Sequence, residues 1–333
     1  MQEKYKRLLA FLFLLLLAGG TWYILSSKEF RTSEGNVFGT TYHIKYLSSQ
    51  DLDADIRYAL SEVDYALSMF NDSSTLSAFN RGEDIPRNEC FDAVVSTALE
   101  ISRETDGAFD ITVAPLVNLW GFGFKHRENV TSDMVDSIRT FVGYKHLSYN
   151  RQKGLQRHHQ QVSLDCGAIA KGYAVDHVAQ MLYKKGCRNY MVEIGGEVVA
   201  RGNNSKGNRW NVGITKPVDD STGVQNQLQK VVQITDCAVA TSGNYRNFYY
   251  KGKRKVSHTI NPATGYPVEH SLLSATVIAP SCMTADAYAT AFMVMGLEKA
   301  QEFLEKHERL KAFFIYSDEK GNIQTWQSSH FPQ

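Results

Sequence analysis

The sequence predicts an α+β fold, with mainly antiparallel sheets, packed helices and an apolar N-terminal helix in front of them. Two observations give this prediction. Patterns typical of amphipathic helices come first along the chain, and a run of consecutive short strands follows before helix returns near the end. A doubly wound parallel sheet would instead alternate strands with helices. With 333 residues, 43% of them apolar, the chain can form one large core.

Residues 1–30 are predicted to be a signal or membrane-anchor segment, and residues 31–333 the globular domain. Three basic residues precede an interrupted apolar run of 18 residues from Leu8 to Leu25. Basic and apolar regions in this order are typical of an export signal, and the length is close to the minimum for a membrane-spanning helix. The positive-inside rule then predicts that the domain lies at the periplasmic face of a bacterial cytoplasmic membrane. We favour an uncleaved anchor over a cleaved signal.

The first half of the domain is predicted to be mainly helical. A strand is expected at 37–46, and acidic residues at 53 and 55 open a helix. Five apolar residues trace one stripe along this helix: Ile56, Leu60, Val63, Leu67 and Phe70. Further helices are expected at about 91–105, 131–139 and 168–185.

The second half is predicted to be mainly strands. The expected strands are 189–194, 197–201, 210–215, 230–235, 237–241 and 246–251. Gly195 and Gly196 form a two-residue hairpin loop between the first two. A strand near 273–279, helices from about 283 to 306 and strands near 311–316 and 322–326 complete the chain.

Charge and cysteine content exclude several classes of protein. Lys plus Arg (36) nearly equals Asp plus Glu (35), so a nucleic-acid partner is not indicated. The five cysteines include no C-x-x-C pair and fit no zinc spacing. Most of the cysteines are expected to be buried small side chains, and the alternative is that two of them form one disulfide.

Asp286 and Thr290 lie four residues apart in an alanine-rich stretch that favours helix. Residues at this spacing share one helix face. A carboxylate and a hydroxyl on a rigid helix suit Mg²⁺, which prefers hard oxygen ligands. The alternative is a carboxylate placed by the helix dipole and a threonine bonded back to a carbonyl. Three other segments favour the metal site.

The segment 164–176 is typical of a strand-to-helix junction. Asp165 is predicted to close a strand and cap a helix that starts near Ala168, and the exposed N–H groups of such a junction favour phosphate. Lys171 lies in the first turn, where a cation is unfavourable for the helix dipole, and this predicts an anion nearby. A capped helix with a solvated lysine is the alternative.

Two further segments contain candidate binding residues. His258 precedes a compact loop with two prolines, where it could donate to a phosphate oxygen or protonate a leaving group. Phe109 and Asp110 lie in the apolar segment 107–123 and place a ring face beside a carboxylate, which suits a flat heterocycle with N–H groups. The alternatives are a solvated histidine and a folded core loop.

Taken in order, these segments resemble the ApbE-type FAD:protein FMN transferase family over about residues 37–297. Seven motifs carry the resemblance: Phe38-Gly-Thr-Thr-Tyr42, Gly107-Ala-Phe-Asp110 through Leu119-Trp-Gly121, Asp165 through Asp176, Val192-Glu-Ile-Gly-Gly-Glu197, Ala240-Thr-Ser-Gly-Asn-Tyr245, His258 through Pro267, and Ala285-Asp-Ala-Tyr-Ala-Thr290. Rossmann, Walker A and α/β-hydrolase motifs are absent from the sequence.

The resemblance implies a T-fold-like catalytic domain that uses Mg²⁺ and FAD. Such an enzyme moves FMN onto a threonine, sometimes serine, hydroxyl of a target protein and releases AMP. The implied acceptors are flavin-carrying subunits of membrane redox pumps with a D-x-x-[ST]-G-A-T motif. The nearest internal match, at 219–225, ends in Gln, so we predict that this chain is not its own acceptor.

The resemblance also assigns residues. The implied metal ligands are Asp286, Thr290 and the carbonyl of Ala168. The implied FAD contacts are Phe38, Phe70, Ala108, Phe109, Asp110, Asp165, Lys171 and Ile260. At positions 38 and 70 the family usually has Met and Tyr, so an apolar face is kept but a hydroxyl at residue 70 is lost.

The implied reaction is metal-assisted phosphoryl transfer, in which Mg²⁺ draws charge from the FAD diphosphate. Lys171, His258 and, as a further candidate, Arg246 stabilise negative charge, and Asp286 takes the proton of the acceptor hydroxyl. Two alternatives stay open. One is an FAD pyrophosphatase that uses water, and the other is an FAD-binding module without turnover.

Overall fold

A computed structural model describes residues 2–26, 28–123, 129–217, 228–244, 248–251 and 254–332. Within these ranges the helices are α1 (Gln2–Ser26), α2 (Asp53–Leu67), α3 (Thr75–Arg81), α4 (Glu89–Glu104), α5 (Ala114–Leu119), α6 (Ser132–Arg139), α7 (Ala170–Lys184), α8 (Cys282–Met295) and α9 (Leu297–Glu305). The strands are β1 (Glu29–Val37), β2 (Thr40–Ser48), β3 (Leu147–Asn150), β4 (Gly154–Arg157), β5 (Tyr190–Ile194), β6 (Glu197–Arg201), β7 (Trp210–Thr215), β8 (Leu228–Ile234), β9 (Cys237–Gly243), β10 (Phe248–Lys251), β11 (Arg254–Ser257), β12 (Leu272–Ala279), β13 (Lys311–Ser317) and β14 (Ile323–Gln327).

An eight-stranded sheet forms the centre of the fold, in the order β1-β2-β5-β6-β9-β12-β13-β14. Every neighbouring pair in it is antiparallel. The hairpins β3–β4, β7–β8 and β10–β11 lie outside this sheet. The prediction of an α+β fold with mainly antiparallel sheets is therefore confirmed.

The two faces of the central sheet have different partners. Alternate residues of β9 and β12, such as Ala240 and Val277, belong to a large core that the sheet shares with α2, α4, α7, α8 and α9. Their neighbours Val239 and Ile278 face the other way, into a smaller core shared with β7 and β8. Side chains alternate between the faces of a strand, so both faces of this sheet can be apolar and covered.

Helix α8 lies inside the large core, where it contacts α7, β9 and β12. Ten of its residues are buried, four of them alanines. Small side chains allow the backbones of the neighbouring helix and strands to approach α8 closely. Asp286 is therefore buried among these elements and is not exposed to water. The helices predicted from about 283 to 306 are confirmed as α8 and α9, which are separated at Gly296.

A third apolar cluster joins the segment 113–142 to the loop that follows β11. Trp120 and Val135 belong to it, together with Val256 and Ile260. The indole nitrogen of Trp120 donates a 2.8 Å hydrogen bond to the carbonyl of Gly265. Two of the segments singled out in the sequence are therefore packed together.

Several local predictions need correction. The strand expected at 37–46 begins only at Thr40, because Phe38 and Gly39 form the turn of the β1–β2 hairpin. The stripe of α2 is buried from Ile56 to Leu67, but Phe70 lies beyond the helix end and is 81% exposed. The Gly195–Gly196 hairpin between β5 and β6 is confirmed.

The N-terminal segment is helical as α1, and its residues 3–17 are exposed. Within the described part of the chain, however, no helix is sufficiently long and apolar to cross a membrane. The prediction that residues 1–30 are a signal or anchor segment stays a prediction. All five cysteines are free thiols, and four of them are buried, as expected for small core side chains.

Candidate active site

The carboxylate of Asp286 is held against the first turn of α7. Asp286 is only 2% exposed, and its Oδ2 accepts a 3.0 Å hydrogen bond from the N–H of Gly172. In a regular helix that N–H would donate to the carbonyl of Ala168, four residues earlier. The contact therefore brings Asp286 to the turn that contains Ala168. These two residues are two of the three predicted metal ligands.

Gly172 permits this contact because it lacks a side chain. A Cβ at this position would lie 2.4 Å from the carbonyl oxygen of Cys282 and 2.8 Å from the Cβ of Asp286. Both distances are far below van der Waals contact. The glycine is therefore required by the close approach of α7 to α8.

Asp176 fixes the same pair of helices one turn further along α7. Its carboxylate accepts hydrogen bonds from the N–H groups of Cys282 (2.9 Å) and Met283 (2.8 Å), the first residues of α8. Ser281 caps the helix from its own chain by accepting from Thr284. Burial raises the pKa of Asp176 to about 6, against the lowering effect of the two N–H donors.

Thr290 lies one turn after Asp286 and is directed at β9. Its hydroxyl is 3.0 Å from the hydroxyl of Ser242. Two residues further, the side chain of Asn244 accepts a 2.7 Å bond from Thr259, the neighbour of His258. The hydroxyl of Thr290 and the His258 loop therefore lie at the same end of β9.

Lys171 forms an ion pair with Glu197, at 2.7 Å between Nζ and Oε1. Burial lowers the pKa of Lys171, but Asp286 and Glu197 together outweigh this, and the net shift is upward. Burial raises the pKa of Glu197, Lys171 lowers it and Asp286 raises it, and the net shift is also upward. An anionic side chain of the protein therefore lies beside Lys171, and a phosphate at this lysine stays a prediction.

Asp165 supports the Ala168 turn, although not in the predicted way. Its Oδ1 accepts from the N–H of Gly167 at 2.7 Å, so it closes a short turn two residues ahead. Helix α7 begins only at Ala170, without a side-chain cap, and residue 165 does not end a strand. The N–H of Asp165 donates to the carbonyl of Ile111 at 2.7 Å, which joins this turn to the segment 107–123.

Asp110 is buried and serves its own loop. One oxygen accepts from the N–H (2.8 Å) and hydroxyl (2.7 Å) of Thr112, and the other from the N–H of Tyr144 (2.6 Å). Burial raises the pKa of this carboxyl, and these bonds oppose the shift. The geometry gives Asp110 a role in loop structure, and a direct contact with FAD stays a prediction.

The loop after β11 holds His258 beside an aromatic cluster. The rings of His258 and Phe122 meet edge-to-face at 6.3 Å. Ile260, two residues on, is 5% exposed, belongs to the third apolar cluster and bridges to Pro267. The further candidate Arg246 and the acceptor-like segment 219–225 lie outside the described residues.

A family model described as "ApbE family" matches residues 38–314. The chain belongs to the ApbE family. Proteins named FAD:protein FMN transferase from Salmonella typhimurium and Escherichia coli are each 37% identical to it, over 92% of this chain and 89% of each relative. The chain is therefore an enzyme of the transferase class.

Solved structures agree with this assignment. The flavin transferase ApbE from Vibrio cholerae superposes with a TM-score of 0.80 at 36% identity, and the match covers 91% of this chain and 98% of that one. The flavinyl transferase ApbE from Pseudomonas stutzeri gives a TM-score of 0.78 at 32% identity, with 91% and 95% covered. The resemblance to the ApbE family seen in the motifs is thus confirmed.

The aromatic and small residues that the ApbE resemblance implies as FAD contacts differ in their solvent exposure. Phe38 is half-buried and has a φ of 51°, which is uncommon for a residue with a side chain and which its place in the β1–β2 hairpin turn requires. Phe70 is exposed, and Ala108 is half-buried. Phe109 is 2% exposed within the large core, so its ring does not offer the face expected from the sequence.

The donor set suits a magnesium ion. No group of three or more His, Cys, Asp and Glu side chains with metal-site geometry occurs in the described ranges. The predicted ligands are instead a carboxylate, a hydroxyl and a carbonyl, all hard oxygens of the kind Mg²⁺ prefers. Asp286 and Glu197 both act electrostatically on the one ammonium group of Lys171, and the excess of carboxylates over ammonium groups also favours a divalent cation.

A surface cavity of about 570 Å³ lies elsewhere, between α4 and the β3–β4 hairpin. Its lining includes Glu100, Arg103, Tyr149 and Gln152, and none of the predicted site residues. The contacts around Asp286 therefore define the site better than the shape of the surface does.

Sequence reasoning gave no role to Glu197, Gly172 or Asp176. All three lie inside motifs that were recognised. An isolated glycine inside a helical pattern is a sign of close packing, and this signal could have singled out Gly172. Their roles depend on contacts between α7, α8 and β6, which no local pattern specifies.

Proposed function

We propose that this enzyme transfers FMN from FAD to a threonine or serine hydroxyl of a target flavoprotein, with Mg²⁺, and releases AMP. One observation carries the proposal. The hydrogen bond from Gly172 to Asp286 joins the predicted metal ligands on α8 to the Ala168 turn, next to Lys171. The names of the similar proteins support FAD as the substrate.

Asp286, Thr290 and the carbonyl of Ala168 would hold the metal ion. When bound, Mg²⁺ would neutralise charge on the diphosphate. Lys171 would place an ammonium group beside the phosphates, and the start of α7 would direct N–H groups at them. His258 would donate a hydrogen bond or a proton to the departing AMP.

In the transfer step the acceptor hydroxyl oxygen forms a bond to the phosphorus of the FMN half. The bond from that phosphorus to the bridging oxygen breaks, and AMP leaves with the bridging oxygen. The hydroxyl proton goes to Asp286. Gly172 uses the Oδ2 oxygen of this carboxylate, so Oδ1 is the proton acceptor that we propose.

The decisive experiment co-expresses the chain with a protein that carries D-x-x-[ST]-G-A-T. Mg²⁺-dependent flavin fluorescence should appear on the acceptor after denaturing electrophoresis. Asp286→Ala should abolish it at saturating Mg²⁺, because the variant loses both the ligand and the proton acceptor. Full activity in that variant would remove both roles.

The same experiment separates transfer from hydrolysis. AMP formed from FAD at an equal rate without acceptor would favour the pyrophosphatase alternative, since water would then replace the hydroxyl. Stoichiometric FAD with no AMP after addition of Mg²⁺ would favour a binding module.

For localisation, we propose that the domain acts outside the cytoplasmic membrane, at its periplasmic face. The basic residues before the apolar run of Leu8 to Leu25 support an export function for this segment. The acceptor would then be an exported domain of a membrane redox pump. Cell fractionation of the full chain tests this, and recovery in the cytoplasm alone would contradict it.

A further inference from the structure

The two carboxylate oxygens of Glu197 differ in their hydrogen bonding. Oε1 lies 2.7 Å from Nζ of Lys171. Oε2 is buried and has no hydrogen-bond partner among the described residues. The whole residue is 3% exposed, so water does not reach it freely. A buried carboxylate oxygen without a donor is rare and unfavourable, and it requires an explanation.

The position of this oxygen connects it to the candidate active site. Glu197 begins β6, directly after the Gly195–Gly196 hairpin, and its ion-pair partner Lys171 precedes Gly172. Gly172 in turn donates to Asp286. Burial raises the pKa of Glu197, and the charge of Asp286 adds to this shift in spite of Lys171. A second carboxylate here is therefore a disadvantage to the ligand-free protein.

A donor supplied by a bound ligand would satisfy this oxygen. In FAD each phosphate is attached to a hydroxyl-bearing chain, ribityl on the flavin side and ribose on the adenine side. A diphosphate beside Lys171 and the start of α7 brings such hydroxyl groups next to Glu197. Resting on the proposed function, we infer that Glu197 is a substrate-binding residue, whose Oε1 positions Lys171 and whose Oε2 accepts a hydrogen bond from a hydroxyl of FAD.

The test uses Glu197→Gln, which keeps the shape and one acceptor oxygen but replaces the other oxygen by an N–H₂ donor. Glu193→Gln is the matched control, because Glu193 lies in the same hairpin and, among the described residues, its hydrogen-bond partners are Gly196 and His43. FAD affinity is measured by quenching of flavin fluorescence, without acceptor, in EDTA and in Mg²⁺. Unfolding temperatures of the ligand-free proteins are measured in parallel.

We expect Glu197→Gln to weaken FAD binding about tenfold or more, in EDTA as well as in Mg²⁺. Its ligand-free unfolding temperature should equal or exceed that of the wild type, because the amide oxygen can still accept from Lys171 and the charge that Asp286 opposes is removed. Glu193→Gln should bind FAD as the wild type does. Weaker binding together with unchanged or higher stability is not expected from a residue with a structural role alone.

Other outcomes overturn the inference. An unchanged FAD affinity, or a misfolded or less stable Glu197→Gln protein, assigns Glu197 to structure. A loss confined to Mg²⁺ assigns the donor to a water on the metal instead of FAD. If the wild type itself does not bind FAD, the proposed function fails as well, whereas wild-type binding with no effect of Glu197→Gln removes this inference alone.

Discussion

The contact between α7 and α8 can be tested by replacing Gly172 with alanine. The new Cβ would lie 2.4 Å from the carbonyl oxygen of Cys282, where even tight contacts need 3.0–3.4 Å. The helices must therefore separate by 0.6–1.0 Å, the difference between these distances. The obstacle is backbone and cannot rotate away. This separation also lengthens the hydrogen bond from Gly172 to Asp286, now 3.0 Å.

The size of the effect follows from two opposing contributions. Overpacking a core contact costs about 1–3 kcal/mol of unfolding free energy. Alanine returns up to about 1 kcal/mol through its better helix propensity. With the full return, a net loss of about 0–2 kcal/mol remains. Because the entropy of unfolding grows with chain length, this loss lowers the Tm of a chain of this size by at most roughly 3 °C. Misplacing Asp286 by this distance should lower kcat/KM by about 10- to 100-fold.

Differential scanning calorimetry of the ligand-free protein gives the Tm, and the rate of flavin transfer to the acceptor gives kcat/KM. Gln180→Ala, on the exposed face of α7, is the control and should change neither. Wild-type stability and rate in Gly172→Ala would refute the reasoning, because the close approach of the helices would then not position the site. A loss of stability with an unchanged rate would refute only its second part.

Two further predictions concern Asp176 and Phe38. Burial raises the pKa of Asp176 to about 6 in the folded state, whereas an unfolded Asp has a pKa of about 4. The folded state therefore binds more protons than the unfolded state between about pH 4 and 6. As the pH rises through this window, Asp176 lowers the free energy of unfolding. Asp176→Asn should therefore make the unfolding free energy from urea titrations less dependent on pH there, and an unchanged dependence would contradict the assignment. Phe38→Asn should keep or raise the Tm, since Asn tolerates the φ of 51° better, but should weaken FAD binding if the ring contacts the flavin. A lower Tm with unchanged FAD affinity would show that the phenyl ring serves the fold alone.

Several elements of the fold follow from local patterns. The stripe of α2 is buried as predicted, because a period of 3.6 residues places Ile56, Leu60 and Val63 on one face. The Gly195–Gly196 hairpin forms because both residues need a positive φ, which glycine adopts freely.

Other elements could not be found in this way. Strand β1 is an edge strand with an irregular burial pattern, so its alternation is too weak to detect. Phe70 matches the helical spacing of α2, but the helix ends at Leu67 and the ring is left exposed. Local spacing predicts which side of a helix a residue occupies, but not where the helix stops.

The candidate active site was likewise predictable from the sequence only in part. Residue types alone predicted that Asp286 and Thr290 share a helix, that an anion lies near Lys171, and that the ordered motifs belong to one enzyme family. The tertiary structure shows that Glu197 is an anion paired with Lys171. Glu197 is 26 positions from Lys171 in the chain, and the two meet only because the sheet packs against α7. The burial and the charge balance at such a contact depend on every element around it. They are therefore properties of the whole fold, and no single segment of the sequence specifies them.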